Sequence, residues 1–340
     1  MLFLKKNRAV GKKSNKPIED KILDSVVRKI EKINVISSLN NKTSIFNKAF
    51  KWSLSEGKKI LYIINEDRES LDVLGVISSN LVNYIDDKRY NVIHDKINIC
   101  SHNIALYIEE KFDIVIYDEV NSRPRYSKES IVRVMNYNCN NYGTMISYSM
   151  EKVFDKELTF YNLQKDRQVP IVEPRIITTR MNIEEEIPMG VYEYLKWSIN
   201  TNKKVIIYVP DDEKVDKVYE YLHHIKEKLT KNIFKEKLNK INRKDVSRFI
   251  LSEGGILVTD DFNENFRGIH PLNVIVFFAD HSNFNYKDLV YISSKVNRLS
   301  IAEREEVIFV CNNETNHIDK CREVLRELNK RAWEEGFLKL

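Results

Sequence analysis

The sequence predicts an α/β protein with two parallel-sheet units. Short apolar runs of strand length alternate with segments of helical periodicity, the alternation breaks at Pro170 and Pro174, and it then resumes. Strands separated by helices are joined by right-handed crossovers, which set them parallel in one sheet. A chain of 340 residues is also long for a single core, so two domains are expected.

Each half of the chain supplies its own series of elements. In the first half, the predicted strands are 33–37, 59–64, 97–100, 113–117 and 143–148, and the predicted helices are Ser44–Leu54, Leu71–Tyr84 and Ser127–Asn140. A polar stretch near Asp155–Arg167 follows. In the second half, the predicted strands are Val205–Val209, Gly255–Thr259, Val274–Phe278 and Glu306–Cys311, and the predicted helices are Met189–Ile199, Asp212–Leu222 and Glu314–Glu335.

Composition indicates a soluble globular protein. Charged residues make up 31% of the chain and hydrophobic residues 42%. The apolar runs are too short to span a bilayer, and no signal-peptide core follows the first lysines. The scattered cysteines form no CxxC pair, which argues against zinc and for a reducing cytoplasm; they are Cys100, Cys139, Cys311 and Cys321.

The net charge of +5 is unevenly distributed. Six cations precede the first acid, Glu19: Lys5, Lys6, Arg8, Lys12, Lys13 and Lys16. A second basic block between Lys226 and Arg248 contains Lys228, Lys231, Lys235, Lys237, Lys240, Arg243 and Lys244. Such clusters can hold a phosphate backbone by counterion release. The alternative is a solvated helix face and a disordered tail.

The segment Phe112–Val120 carries the clearest chemical signal, with the sequence FDIVIYDEV. A β-branched apolar run typical of a buried parallel strand ends in two adjacent acids, Asp118 and Glu119. Open α/β sheets bind ligands at the carboxyl ends of their strands. In NTPases that carry such a pair of acids at the end of a parallel strand, the Asp holds Mg²⁺ and the neighbouring acid polarises the attacking water. The alternative is an ordinary strand followed by a solvated acidic turn.

Three longer segments resemble the superfamily-2 helicases, and within them the ComFA late-competence proteins, whose relatives include PriA. The family's layout from motif Ib to the Walker B box matches INICSHNIALYIEEKFDIVIYDEVNSRPRYSKESIVRVMNYN. Motif IV matches KKVIIYVPDDEKVDKVYEYL. Motifs V and VI match ILVTDDFNENFRGIHPLNVIVFFADHSNFNYKDLVYISSKVNR. The resemblance covers roughly residues 30–330 and does not depend on any single motif.

This resemblance implies a superfamily-2 helicase core of two RecA-like domains. The expected division is a basic N-terminal segment at 1–30, domain 1 at 31–168 and domain 2 at 169–340. The implied ligands are ATP with Mg²⁺ and single-stranded DNA. The implied partners are other competence or membrane-channel proteins, at the inner face of the cell membrane. The family's zinc-binding cysteine cluster is absent from this sequence, so no zinc is expected.

The stretch that corresponds to the P-loop is ISSLNNKT, from Ile36 to Thr43. Lys42 stands at the position of the phosphate lysine, Thr43 at that of the Mg²⁺-binding hydroxyl, and Asn41 replaces the second glycine. Both glycines of GxxxxGK[ST] are missing, although they let backbone N–H groups turn toward phosphate. Ile36 is the harsher replacement, because a β-branched residue resists positive φ. A distorted loop is therefore expected.

The remaining motifs are altered in the same manner. In motif VI, Arg298 falls on the arginine finger and Lys295 replaces the first arginine, which keeps the charge but loses the bidentate fork. In motif V, Thr259 aligns with the corresponding position of the family's motif. Arg68 aligns with the arginine of motif Ia, a candidate phosphate contact. Motif III reads Ser147-Tyr148-Ser149.

Two hypotheses follow. The first is an ATP-dependent motor on single-stranded DNA with weakened hydrolysis, in which Lys42 holds phosphate, Asp118 holds Mg²⁺, Glu119 orients water and Arg298 completes the site. The second is a degenerate relative that keeps the fold and a nucleic-acid or partner surface without significant hydrolysis. The retained residues favour the motor by a narrow margin.

Overall fold

The computed structural model describes residues 16–39, 41–65, 79–86, 91–163, 169–240, 243–262, 269, 271–296 and 305–338. Within them the chain forms two sheets whose strands all run parallel. This confirms the predicted α/β class. No helix in these ranges is long and apolar enough to cross a membrane.

The first sheet has seven strands in the order β3-β4-β2-β5-β6-β1-β7. They are β1 (Lys32–Ser37), β2 (Ile60–Ile64), β3 (Val82–Ile85), β4 (Ile97–Ser101), β5 (Phe112–Asp118), β6 (Cys139–Ser149) and β7 (Leu158–Asn162). Its helices are α1 (Ile18–Val27), α2 (Asn47–Ser55), α3 (His102–Ala105) and α4 (Lys128–Asn138). Buried apolar residues cover both faces of the sheet, as a parallel sheet requires. These elements form the first unit.

The second sheet has six strands in the order β10-β11-β9-β12-β13-β8. They are β8 (Arg175–Thr178), β9 (Lys204–Tyr208), β10 (Ile233–Glu236), β11 (Gly255–Thr259), β12 (Leu272–Phe277) and β13 (Val307–Cys311). Its helices are α5 (Met189–Asn200), α6 (Asp212–His224), α7 (Lys226–Leu229), α8 (Arg243–Leu251), α9 (Tyr286–Ser293) and α10 (Asn316–Glu334). These elements form the second unit.

The nine strands expected from the sequence are all present, but four short strands and the helices α1, α7, α8 and α9 were not expected. The four short strands have only four or five residues each and are incompletely buried. They are the edge strands of the two sheets, β3 and β7 in the first and β8 and β10 in the second. Such strands lack the fully apolar run that identifies a central strand. The helix predicted over Leu71–Tyr84 is wrong where it can be compared: Ser79–Leu81 is a 3-10 turn and Val82–Ile85 is strand β3. Residues 71–78 lie outside the described residues.

The two units share one hydrophobic cluster. Ile36 and Leu39, from the end of β1 and the loop after it, are buried together with Leu325 and Leu328 of α10. A cavity of about 680 Å³ lies alongside, between α10 and the carboxyl end of the first sheet. This contact brings the end of β1 close to the second unit.

Candidate functional site

The candidate site lies at the carboxyl edge of the first sheet. β1 ends at Ser37 and β5 ends at Asp118, with β6 between them. The described residues after β1 (Ser38, Leu39, Asn41 and Lys42) therefore lie at the same edge of the sheet as Asp118 and Glu119. This is the edge at which the sequence predicted a phosphate loop and a pair of acids.

Asp118 is 1% exposed, and both of its carboxylate oxygens are occupied. Oδ2 accepts hydrogen bonds from the Tyr62 hydroxyl at 2.6 Å and from the Asn121 side-chain amide at 2.8 Å. Oδ1 accepts from the backbone N–H of Val120 at 2.7 Å and of Asn121 at 3.2 Å. Since a carboxylate offers about four acceptor positions, the protein itself fills all of them. Burial raises the pKa of Asp118, and the four donors oppose that rise.

Glu119 is also buried, and its partner comes from the second unit. The Lys287 ammonium on α9 donates to Glu119 Oε1, with the two side chains 7% and 2% exposed. Lys287 also donates to the backbone carbonyl of Tyr126 at 2.6 Å. Burial raises the pKa of Glu119, although the Lys287 charge opposes the rise. The acid that was expected to orient water is therefore bound to a cation of the protein.

In the loop after β1, the Asn41 side chain makes the main contacts. Its amide donates to Ser37 Oγ and to the backbone carbonyl of Asn162, each at 2.9 Å. Its oxygen accepts the backbone N–H of Lys42 at 2.8 Å. In a phosphate loop that N–H would point at the nucleotide. Here Asn41 binds it instead.

The backbone of this loop also departs from a phosphate cradle. Ile36 continues β1 in extended conformation, paired with Ser149 and Tyr161 on the neighbouring strands. Among the described residues, positive φ at non-glycine positions occurs only at Lys29, Lys156, Asn202 and Phe278, none of which is in the loop. Thr43 begins a four-residue 3-10 turn that runs directly into α2, so the first turn after Lys42 is 3-10 rather than α-helical. The Tyr148 hydroxyl donates to the Lys42 carbonyl at 3.2 Å.

Other predicted site residues lie elsewhere or outside the described residues. Lys295 Nζ is 4.6 Å from the ring centroid of Tyr291 and 6.0 Å from that of Tyr208, both in the second unit. Thr259 is fully buried at the end of β11, and its hydroxyl accepts the N–H of Asp261 at 2.9 Å. Arg298 and Arg68 fall outside the described ranges.

The second basic block does not form one continuous surface. It folds into α7, β10 and α8. Lys235 and Lys237 bind the carboxylate of Asp216 on α6 at 2.8 Å and 2.6 Å. Lys240 and Lys244 are exposed, and the side chain of Arg243 lies outside the described residues. Part of the predicted nucleic-acid surface is therefore neutralised within the protein.

Glu236, inside that block, ends β10 at the carboxyl edge of the second sheet. It is 1% exposed, and within the described part of the chain neither carboxyl oxygen has a hydrogen-bond partner. Burial, together with the nearby charges of Asp261 and Asp260, raises the pKa of Glu236 to about 7. A buried acid without donors avoids ionisation, since charge without compensation is costly in a low dielectric.

The sequence analysis did not single out Tyr62, Asn121 or Lys287. Their importance is visible only in the structure. Tyr62 is the only residue with a hydroxyl in the strand ILYII, and Ile64, two positions later, pairs with Asp118 across the sheet. Lys287 lies one turn before Tyr291 on α9, where an ordinary surface lysine would not be 7% exposed.

Comparisons with known proteins show the fold alone. No protein-family model matches the sequence, and no curated protein matches it. Dbp5 of S. cerevisiae, bound to RNA and ADP BeF3, is similar with a TM-score of 0.51 over 93% of this chain and 91% of that chain, at 12% identity. The DUF1998 helicase MrfA bound to DNA has a TM-score of 0.52 at 13% identity, over 92% of this chain and 48% of that chain. This chain thus spans about half the length of MrfA and shares its two-sheet α/β fold with these two proteins.

Proposed function

We propose that this protein binds single-stranded nucleic acid on a helicase fold and does not hydrolyse ATP. The observation that carries the proposal is the state of Asp118. In an active site of this class the corresponding acid accepts from the water shell of Mg²⁺. Here four donors of the protein occupy its acceptor positions, so a hydrated Mg²⁺ does not fit without displacing Tyr62 or Asn121.

The loop after β1 supports the same conclusion. The Lys42 N–H is bound to Asn41, and Ile36 is packed in the cluster shared by the two units. Two changes would be needed before phosphate could bind: release of that N–H and rotation of the loop backbone. Neither is compatible with the hydrogen bonds that Asn41 makes to Ser37 and Asn162.

The nucleic-acid part of the proposal rests on fold and charge. The similar structures of Dbp5 and MrfA contain RNA and DNA, respectively. This chain has a net charge of +5 and exposed lysines at 240 and 244. Because Lys235 and Lys237 are paired with Asp216, we expect weak binding that depends on salt and tolerates any sequence.

A second candidate is a weakened ATP-driven motor acting on single-stranded DNA. Lys42, Thr43, Asp118 and Glu119 favour it, because all four lie at the carboxyl edge of one sheet. The role in DNA uptake and the competence or channel partners implied by the ComFA resemblance would accompany this candidate.

Equilibrium binding of labelled ATP–Mg²⁺ separates the two candidates. We expect no saturable binding to the parent chain, and no turnover with or without single-stranded DNA. The double variant Asn41→Gly, Tyr62→Phe releases the Lys42 N–H and one acceptor position of Asp118, so it should bind ATP more tightly than the parent. Saturable binding by the parent, with turnover that single-stranded DNA stimulates, would refute the proposal in favour of the motor.

A further inference from the structure

Three successive residues at the start of α9 bind the first unit. Tyr286 donates its hydroxyl to Glu151, Lys287 donates to Glu119, and Asp288 accepts from Arg123 Nε at 2.7 Å. The Arg123 guanidinium also lies 4.3 Å from the ring centroid of Phe262, a further contact with the second unit. The beginning of α9 is thus the polar centre of the contact between the units.

The Lys287–Glu119 pair is the most deeply buried of these contacts. Moving either charge out of water is unfavourable by several kcal/mol unless the other compensates it. The Lys287 ammonium also uses the Tyr126 carbonyl as a second acceptor. The Asn285 side chain caps the helix by accepting from the N–H groups of Lys287 and Asp288 at 2.8 and 3.1 Å, which orients the first turn toward the first unit. Removing one charge would therefore leave the other buried without compensation.

We propose that Lys287 is an internal cation that holds the two units together without nucleotide. In a motor of this class, ATP bridges the cleft by its phosphates. Here the ammonium from the second unit binds the acid at the end of β5 directly. The inference rests on the proposed function, because a motor that bound ATP would need Lys287 to leave Glu119 in every cycle.

Two consequences follow from this arrangement. We call the arrangement in which α9 contacts the first unit the closed state. The affinity for single-stranded nucleic acid should be the same with and without ATP, because the closed state forms without nucleotide. The closed state should also depend on the Lys287–Glu119 pair. Each charge of the pair stabilises the contact between the units only while the other charge is present.

Small-angle X-ray scattering and calorimetry of the full chain, without nucleotide, test the proposal. We expect Lys287→Ala to increase the radius of gyration and to lower the first melting temperature by about 5 °C or more, because Glu119 loses its compensation. The matched control is Lys320→Ala on α10, whose lysine is exposed and pairs only with Glu323 within the described residues. It should leave both measurements unchanged.

The double variant Glu119→Gln, Lys287→Met removes both charges together and keeps the test decisive if Lys287→Ala does not fold. We expect it to melt above Lys287→Ala, because no charge is left buried without compensation, but to scatter as a more open chain than the parent, because the link between the units is lost. The proposal is overturned if Lys287→Ala keeps the scattering profile and melting temperature of the parent, or if the double variant scatters like the parent. ATP binding by the parent would refute the proposed function but would leave these scattering outcomes unaffected.

Discussion

The carboxyl edges of the two sheets carry buried acids in opposite situations. At the first edge, Asp118 accepts four hydrogen bonds and Glu119 is paired with Lys287. At the second edge, Glu236 has no donor within the described residues. The two sheets have the same architecture, so the difference lies in the residues around each acid. At the first edge the donors and the Lys287 charge offset part of the cost of burying the two acids, whereas at the second edge no donor among the described residues offsets the cost when Glu236 ionises.

Removing the Asp118 carboxylate should have the largest effect. Asp118→Ala would leave the Tyr62 hydroxyl, the Asn121 amide and the Val120 N–H without their acceptor. We expect the free energy of unfolding to fall by about 3 kcal/mol, measured by urea denaturation at pH 7. Asn121→Ala, which removes one side-chain donor, serves as the control and should cost about 1 kcal/mol. Equal effects of the two variants would show that the carboxylate is not the centre of this network.

The corresponding change at the second edge should have the opposite sign. Glu236→Gln removes a charge that no donor compensates, in a side chain of nearly the same shape. We expect the free energy of unfolding at pH 8 to rise by about 2 kcal/mol. If urea denaturation at pH 8 shows the variant to be less stable than the parent, Glu236 is not an uncompensated charge in the folded protein.

The pH dependence of stability should show the same contrast. The pKa of Glu236 is about 7 in the folded chain, against an ordinary value of 4.5. Between these values the folded state holds a proton that the unfolded state has lost, so this contribution to stability is complete below pH 4.5 and is lost as the pH rises through 7. The difference in melting temperature between Glu236→Gln and the parent should therefore grow over that range. If the difference in melting temperature does not change with pH, Glu236 is not the source of the pH dependence of stability.

The smallest expected effect on stability concerns the paired lysines. Asp216→Asn removes the acid that binds Lys235 and Lys237, which are partly exposed, so stability should change by less than about 1 kcal/mol. Lys235 would become available to phosphate and Lys237 would keep only its longer pair with Asp212 at 3.6 Å, so the affinity for single-stranded DNA at low salt should rise. Fluorescence anisotropy over a salt series measures this. Unchanged affinity would show that this face does not bind nucleic acid.

The central strands could be predicted from the sequence because their apolar runs are continuous. The FDIVIYDEV segment also identified the edge of the sheet at which Asp118 and Glu119 lie. The short strands could not be predicted because they are only partly buried: most of β3 was assigned to a helix, and β7 fell in a stretch that was interpreted as polar. Motif matching assigned Asn41 and Lys42 to a phosphate loop after β1, but it could not predict that the Asn41 side chain binds the Lys42 N–H.

The partners of the two acids were beyond sequence reasoning for a different reason. Tyr62 lies 56 positions from Asp118, and Lys287 lies 168 positions from Glu119. Each contact depends on how strands or units are arranged in space, and a sequence read along the chain carries no record of that arrangement. A tyrosine in a central strand and a lysine in a helix have many ordinary explanations.

The strand order has a consequence for synthesis on the ribosome. β1, the first strand made, lies between β6 and β7, and the buried Asn34 side chain accepts the N–H of Phe154, 120 positions later. At about 5–20 residues per second, β1 waits on the order of ten seconds for its neighbours. During that interval the apolar strands β1 and β2 have emerged without complete pairing. The nascent first half is therefore the stage at which this protein is most exposed to aggregation and most dependent on chaperones.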